Sequence, residues 1–184
     1  MKRTLMQSAV ITVLVVLATG VGAQAVVSSK PAGQVAQRSV ADPSPFKGTL
    51  EGLHVSRTAV APPIVFDRFE TNGQATHLGK FELVIGATVD FGSRPVTGVG
   101  TYTFTSANGD RLVADHTGFS TLVEPGTVLI TEQATIDPDR STGRFAGAEG
   151  TFTVERLADA ATGVGGLTRG AFQGTISLQT PSGA

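Results

Sequence analysis

The sequence predicts an all-β protein whose folded part is an eight-stranded antiparallel, up-and-down β-barrel. Three observations carry this prediction. Apolar and polar residues alternate with a period of two along most of residues 46–179, as in strands with one buried and one solvated face. Helical patterns are nearly absent, and the strand patterns follow one another without a long crossover connection. Many of the 23 glycines lie inside these patterns, which favours the sharp bends of a small closed barrel over the flatter strands of a two-sheet sandwich.

Residues 1–25 have the features of a signal peptide. Two basic residues near the start precede an apolar run at 9–18, which has the length of a secretory signal and is too short to span a membrane. Residues 23–25 (AQA) match a signal-peptidase site, so we expect cleavage after Ala25 and a secreted or periplasmic protein. An uncleaved N-terminal anchor is the alternative. Residues 26–45 are rich in Ser, Pro, Ala and Gln, which predicts a flexible linker before the barrel.

Eight strands are predicted in order along the barrel domain. The first two patterns are the weakest, at 47–58 and 64–69, and a Pro-Pro pair separates them. The third, at 81–91, is the clearest, because its odd positions are all apolar. An Asn-Gly pair at 108–109 predicts a tight hairpin between the fourth and fifth strands. A polar tail at 180–184 follows the last strand. The remaining five strands are expected at 100–105, 111–119, 127–136, 150–157 and 168–178.

The composition argues against several classes of function. The chain has no Cys, which excludes a disulfide scaffold, a thiolate metal site and a Cys nucleophile, and which is common among exported bacterial proteins. A net charge of -1 without a basic stripe argues against a nucleic-acid partner, and nothing predicts a membrane partner after signal cleavage. His54, His77 and His116 lack zinc-site spacing, and the Asp-Pro-Asp turn from residue 137 lacks a calcium loop's glycine and glutamate. No metal or cofactor is therefore predicted.

One glycine-rich segment carries a resemblance to a known group of proteins. Residues 143–150 read Gly-Arg-Phe-Ala-Gly-Ala-Glu-Gly and lead into a strand, and this segment is similar to one in the allene oxide cyclase and dirigent barrels. The resemblance implies an eight-stranded barrel of the allene oxide cyclase-like type whose interior holds an apolar small molecule. In those families the barrel steers cyclisation or radical coupling without a redox cofactor. The cyclases' pocket cysteine has no counterpart here, and the catalytic residues stay unknown.

Glu132 departs most clearly from the strand patterns. The even positions of residues 127–136 are apolar except for this carboxylate, and a buried carboxylate needs a partner or a raised pKa. Arg156 continues the apolar phase of the next predicted strand, so a hairpin would bring it near Glu132 on the inner face. Three interpretations stay open: a structural ion pair at one end of the barrel, a pair that orients a ligand, and an acid–base catalyst. A one-residue shift in register would separate the two side chains.

Tyr102, the only tyrosine, is the third candidate ligand-binding residue. It shares the aromatic phase of its strand with Phe104, so it either packs in the core with its hydroxyl hydrogen-bonded or points that hydroxyl into a pocket. The sequence thus predicts a secreted barrel that binds an apolar small molecule. The alternatives are a cofactor-free isomerase or cyclase resembling the families above, and a structural module of the cell envelope. A cavity is expected for the first two functions and not for the third, and an oligomer is compatible with all three.

Overall fold

The computed structural model describes residues 41–179 of the chain. The predicted signal peptide, the linker before residue 41 and the tail at 180–184 lie outside the described residues. The single described helix, η1, is a 3-10 turn of three residues, so no described helix is long enough to span a membrane. The described elements are, in chain order, β1 (Ser44–Ala61), β2 (Ile64–Ala75), β3 (Gly79–Asp90), β4 (Val96–Ser106), β5 (Arg111–Glu124), β6 (Thr127–Ile136), η1 (Gly143–Phe145), β7 (Glu149–Asp159) and β8 (Leu167–Ser177).

The eight-stranded antiparallel barrel is confirmed. Each strand pairs with the next along the chain, and β1 pairs antiparallel with β8 to close the barrel. The closing register runs from Ser44 opposite Ile176 to Leu53 opposite Leu167. Every predicted strand has one observed counterpart, although β2 continues well past residue 69. The prediction ended β2 early because the inward positions of that extension include Thr71 and a glycine, which carry little hydrophobic signal.

Aromatic side chains fill one half of the barrel, which we call the closed half. It carries the β2–β3, β4–β5 and β6–β7 connections. Seven of the ten phenylalanines belong to the buried core. Phe46 packs against Phe152 and Phe172 with ring centroids 5.2 and 5.0 Å apart, and Phe104 lies 5.6 Å from Phe172. An eight-stranded barrel is just wide enough for side chains to fill it, so these rings leave this half packed.

The β6–β7 connection covers the closed end of the barrel. Its 3-10 turn buries Phe145 completely within the aromatic core. Gly143 and Gly147 have φ values of +60° and +74°, a backbone region that favours glycine, so they let the chain reverse tightly on either side of Phe145. The segment 143–150, on which the family resemblance rests, therefore forms the closing turn of the barrel.

The other half of the barrel, the open half, carries the β1–β2, β3–β4, β5–β6 and β7–β8 turns. Glycines occupy some of its inward positions. A Cβ at Gly100 would lie 2.0 Å from the carbonyl oxygen of Gly86, and one at Gly118 would lie 2.4 Å from that of Thr131. The strands approach so closely here that only glycine fits. These positions contribute no side chain, and the open half retains space inside the barrel.

Candidate functional site

A cavity of about 160 Å³ opens at the end of the barrel in the open half. Apolar side chains make up much of its wall, among them Val89, Val128, Ile130 and Ala158. The buried ionisable side chains in the wall fall into two clusters, one around Glu132 and one around Asp67. The strand ends thus combine an apolar surface with a few fixed polar groups.

Glu132 is only 4% exposed and faces inward from β6, as its strand phase predicted. Arg156 donates from Nε to Glu132 Oε2 at 3.1 Å and from Nη2 to Oε1 at 3.4 Å. The Tyr102 hydroxyl donates a short hydrogen bond to the same Oε2. Arg156 Nη1 also donates to Thr168 Oγ1 at 3.2 Å. The predicted contact between Glu132 and Arg156 is therefore confirmed, and Tyr102 joins it.

Glu132 and Arg156 stabilise each other's charged form. Burial opposes ionisation of Glu132, but the positive charge of Arg156 and the hydrogen bonds from Arg156 and Tyr102 hold the pKa of Glu132 below its usual value. Burial likewise opposes the charge on Arg156, yet the neighbouring carboxylate raises the pKa of that guanidinium. Burial and the carboxylate together raise the pKa of Tyr102 well above its usual value. The site therefore holds an ionised pair with a protonated phenol as donor.

His116 lies beside this pair on β5. The structure places its side chain inside the barrel, with Nδ1 3.3 Å from Glu132 Oε1. Burial lowers the pKa of His116 and outweighs the opposing effect of the Glu132 carboxylate, so the imidazole is neutral at neutral pH. Neither ring nitrogen forms a hydrogen bond to any of the described residues.

The second cluster surrounds Asp67, which is 3% exposed on β2. Arg57 binds it in a bidentate manner, with Nε and Nη2 each 2.7 Å from a carboxylate oxygen. His54 Nε2 lies 3.3 Å from Asp67 Oδ1 and 2.9 Å from the carbonyl oxygen of Ser56. The Arg57 guanidinium is partly exposed at the cavity mouth and lies 4.9 Å from the ring centroid of Phe91.

Phe69 connects the two clusters. The Arg156 guanidinium lies 4.5 Å from the centroid of the Phe69 ring, and the His54 ring stacks on the same ring with centroids 4.6 Å apart. On the other side, the Tyr102 ring packs against Phe152 of the closed half at 5.9 Å. The Glu132 cluster therefore lies at the boundary between the packed aromatic half and the cavity, and the Asp67 cluster lies nearer the cavity mouth.

The three predicted site residues do not all reach the cavity. Glu132 and Arg156 line it, whereas Tyr102 is fully buried and does not. The position of Tyr102 agrees with core packing and a hydrogen-bonded hydroxyl, one of its two interpretations. A role of these residues in ligand binding stays a prediction.

The second cluster was not predicted from the sequence. His54 and Arg57 have opposite phases in a regular strand, but a β-bulge between His54 and Ser56 turns both side chains toward Asp67. A bulge has no reliable signature in a single sequence. The sequence did contain a sign that Asp67 faces inward, because Asp67 has the same strand phase as the apolar Phe69. Glu132 was recognised from the same kind of interruption in its own strand.

Within residues 41–179, no group of three or more His, Asp or Glu side chains is arranged to hold a metal ion. The Asp-Pro-Asp segment is a hydrogen-bonded turn, in which Asp137 Oδ1 accepts bonds from the backbone N–H groups of Asp139 and Arg140. Comparison of the chain with protein-family models, with curated proteins and with solved structures gave no match.

Proposed function

We propose that this protein binds a small, mostly apolar molecule in the open half of its barrel. The observation that carries the proposal is the cavity of about 160 Å³, with apolar walls and the buried Glu132–Arg156 pair at its base. Small-molecule sites typically combine an apolar enclosure with a few polar groups that orient the ligand. An engineered apolar cavity of roughly 150 Å³ in an unrelated protein binds benzene, so a molecule with one ring matches this space.

The rim of the cavity supports the same proposal. Phe91, Phe119 and Leu167 line it and are 39%, 44% and 60% exposed. When a ligand covers exposed apolar side chains, the complex is stabilised by about 25 cal/mol for each Å² of apolar surface removed from water. The bound molecule would therefore contact the rim as well as the cavity wall.

A variant that fills the cavity tests the proposal. Ala158 faces inward in the cavity wall, whereas Ala171 is exposed on the outer face of β8, so Ala158→Leu and Ala171→Leu add the same atoms inside and outside the barrel. We expect native mass spectrometry of the protein, purified from its own organism, to detect a retained small molecule in the wild type and in Ala171→Leu. Ala158→Leu should lose it. Equal retention by both variants would place the ligand elsewhere and refute the proposal.

A second candidate function is a cofactor-free isomerase or cyclase. The observation that favours it is an ionised carboxylate beside a guanidinium in a cavity wall, since such a pair can accept a proton and stabilise a developing negative charge. The lowered pKa of Glu132 makes it a weak base, so we place binding first. Glu132→Gln, checked for folding by circular dichroism, should abolish turnover if this function holds, and retained turnover would exclude Glu132 as the base.

Two further expectations remain proposals. Membership of the allene oxide cyclase and dirigent-like barrels is supported by the closed eight-stranded barrel and by the position of residues 143–150 at its closed end. Export is supported by the leader sequence, and an N-terminus at Val26 in the mature protein would test it. The structural-module alternative carried the expectation of a barrel without a cavity, which the open half does not meet.

A further inference from the structure

We propose further that the ligand is uncharged and carries a hydrogen-bond acceptor, such as a carbonyl oxygen, that binds to the Arg156 guanidinium at the base of the cavity. This inference rests on the proposed binding function and narrows its ligand class. It follows from two properties of the wall: how its charges are paired, and which hydrogen-bonding groups remain available.

The buried charges of the wall are already paired with one another. Glu132 pairs with Arg156 at 3.1 Å, and Asp67 pairs with Arg57 at 2.7 Å. An anionic ligand would lose its hydration on entering the cavity, where a carboxylate already balances the charge of each arginine. A cationic ligand would likewise lose its hydration beside carboxylates that arginines already balance. Because an unpaired buried charge is strongly unfavourable, the wall disfavours ligands of either sign.

One further carboxylate lies at the mouth of the cavity. Asp159 accepts hydrogen bonds from the backbone N–H and the hydroxyl of Thr162, at 2.9 and 2.6 Å. It is partly exposed, so water and salt screen its charge. It therefore does not give the interior a preference for cations.

The hydrogen-bonding groups of Arg156 indicate which polar atom the ligand presents. A guanidinium has five N–H groups, and the bonds to Glu132 and Thr168 use one on each of the three nitrogens. Each terminal nitrogen therefore retains an N–H that can donate. In contrast, Glu132 Oε2 already accepts bonds from both Arg156 and Tyr102, and Oε1 accepts a bond from Arg156 and lies 3.3 Å from His116 Nδ1. An atom that accepts and does not donate, such as a carbonyl oxygen, complements the groups that remain.

Four probes that share one benzene ring test this inference: acetophenone, ethylbenzene, benzoate and benzylammonium. Each is titrated into the isotopically labelled full chain and followed by two-dimensional NMR, with chemical-shift changes expected at Ile130 and Ala158. Acetophenone should bind about tenfold more tightly than ethylbenzene, because it gains a hydrogen bond to a charged donor. Benzoate and benzylammonium should bind at least roughly a hundredfold more weakly than acetophenone.

A double variant identifies the group that recognises the acceptor. Glu132→Gln combined with Arg156→Met removes both charges together and leaves no unpaired ion in the wall. Acetophenone and ethylbenzene should then bind equally well, within about twofold. The matched control combines Glu155→Gln with Arg169→Met on the exposed outer face of β7 and β8, and should keep the wild-type preference. If the inner double variant does not fold, the order of the four wild-type affinities still decides the inference.

The outcomes separate this inference from the proposed function. Tightest binding of benzoate or benzylammonium in the cavity would overturn the inference and leave the binding function in place. Equal affinities of acetophenone and ethylbenzene for the wild type would overturn the acceptor requirement, again with the binding function intact. Failure of all four probes to shift any cavity resonance would overturn both.

Discussion

Replacing Glu132 with glutamine removes one charge from a buried ion pair and leaves the side-chain shape almost unchanged. The variant retains the Arg156 guanidinium, which is only 2% exposed and loses the carboxylate that balances its charge. It also turns the acceptor of the Tyr102 hydroxyl from a charged oxygen into a neutral one. The expected result is a large loss of folding stability with the fold retained.

The magnitude follows from the contact distance and the burial. At the 3.1 Å separation of Arg156 Nε and Glu132 Oε2, two unit charges attract by about 5 kcal/mol at an effective dielectric constant of about 20. Desolvation of both ions offsets most of that gain in the wild type, but it is not recovered when one partner is removed. We therefore expect Glu132→Gln to lower the free energy of unfolding by about 3–5 kcal/mol and the melting temperature by roughly 10–15 °C.

Urea unfolding measures this loss, with far-ultraviolet circular dichroism and the fluorescence of the single tyrosine as probes. Glu155→Gln makes the same chemical change at an exposed position of β7 and should stay within about 0.5 kcal/mol of the wild type. Adding Arg156→Met to Glu132→Gln should recover most of the stability, because no unpaired charge remains. If Glu132→Gln is no less stable than the Glu155→Gln control, the reasoning is refuted.

The pH dependence gives a second measurement on the same variant. The pKa of Glu132 is lower in the folded protein than its unfolded value of 4.5, so its contribution to stability is complete above that pH. The contribution is lost as the pH falls through the folded pKa, where the carboxylate takes up a proton. The difference in unfolding free energy between wild type and Glu132→Gln should therefore narrow at pH 3 relative to pH 7. A difference that does not change with pH would contradict the ionised pair.

Three further predictions concern the packing of the barrel. Gly100→Ala should lower the unfolding free energy by about 2–3 kcal/mol in thermal denaturation, because its Cβ would meet the Gly86 carbonyl oxygen at 2.0 Å. Gly98→Ala, whose Cβ has its nearest neighbour at 3.6 Å, should cost less than about 1 kcal/mol, and equal losses would refute the steric argument. Tyr102 should show no tyrosinate absorbance in an alkaline titration until the barrel unfolds, because burial and the nearby carboxylate raise its pKa, and ionisation in the folded state would contradict this. Phe152→Ala should cost about 3–5 kcal/mol in urea unfolding, and a loss below about 1 kcal/mol would show that the closed half repacks.

The barrel was predictable because its main signal is local. Strand alternation depends only on which residues face inward, and β6 was predicted at 127–136 and is observed as Thr127–Ile136. Glycine-rich strands and short turns then favoured a closed barrel. The contact between Glu132 and Arg156 followed from phase alone. Arg156 lies opposite Ile130 rather than Glu132, yet two long side chains on one face reach each other diagonally.

The rest of the site depends on features that are not local. The bulge after His54 changes the phase of β1, and its consequence is visible only once β1 is paired with β2. The volume of the cavity depends on the sizes of the inward side chains on all the strands together, which cannot be judged from one strand at a time. Phe145 lies outside the strand patterns, and its insertion into the closed end depends on how the β6–β7 connection folds back.

Stability alone does not explain an ion pair at the boundary of the two halves. A buried pair can often be replaced by apolar side chains of similar volume without loss of stability, and the closed half of this barrel shows that phenylalanine and leucine fill its interior well. A purely structural pair and a ligand-orienting pair therefore differ in what they predict for ligand binding once both charges are removed. Glu132→Leu combined with Arg156→Met should fold on either interpretation, since no unpaired charge is left behind. On the ligand-orienting interpretation, this variant must lose the tenfold preference for acetophenone over ethylbenzene, because the hydrogen bond from Arg156 to the ligand is gone. The purely structural interpretation does not require this loss.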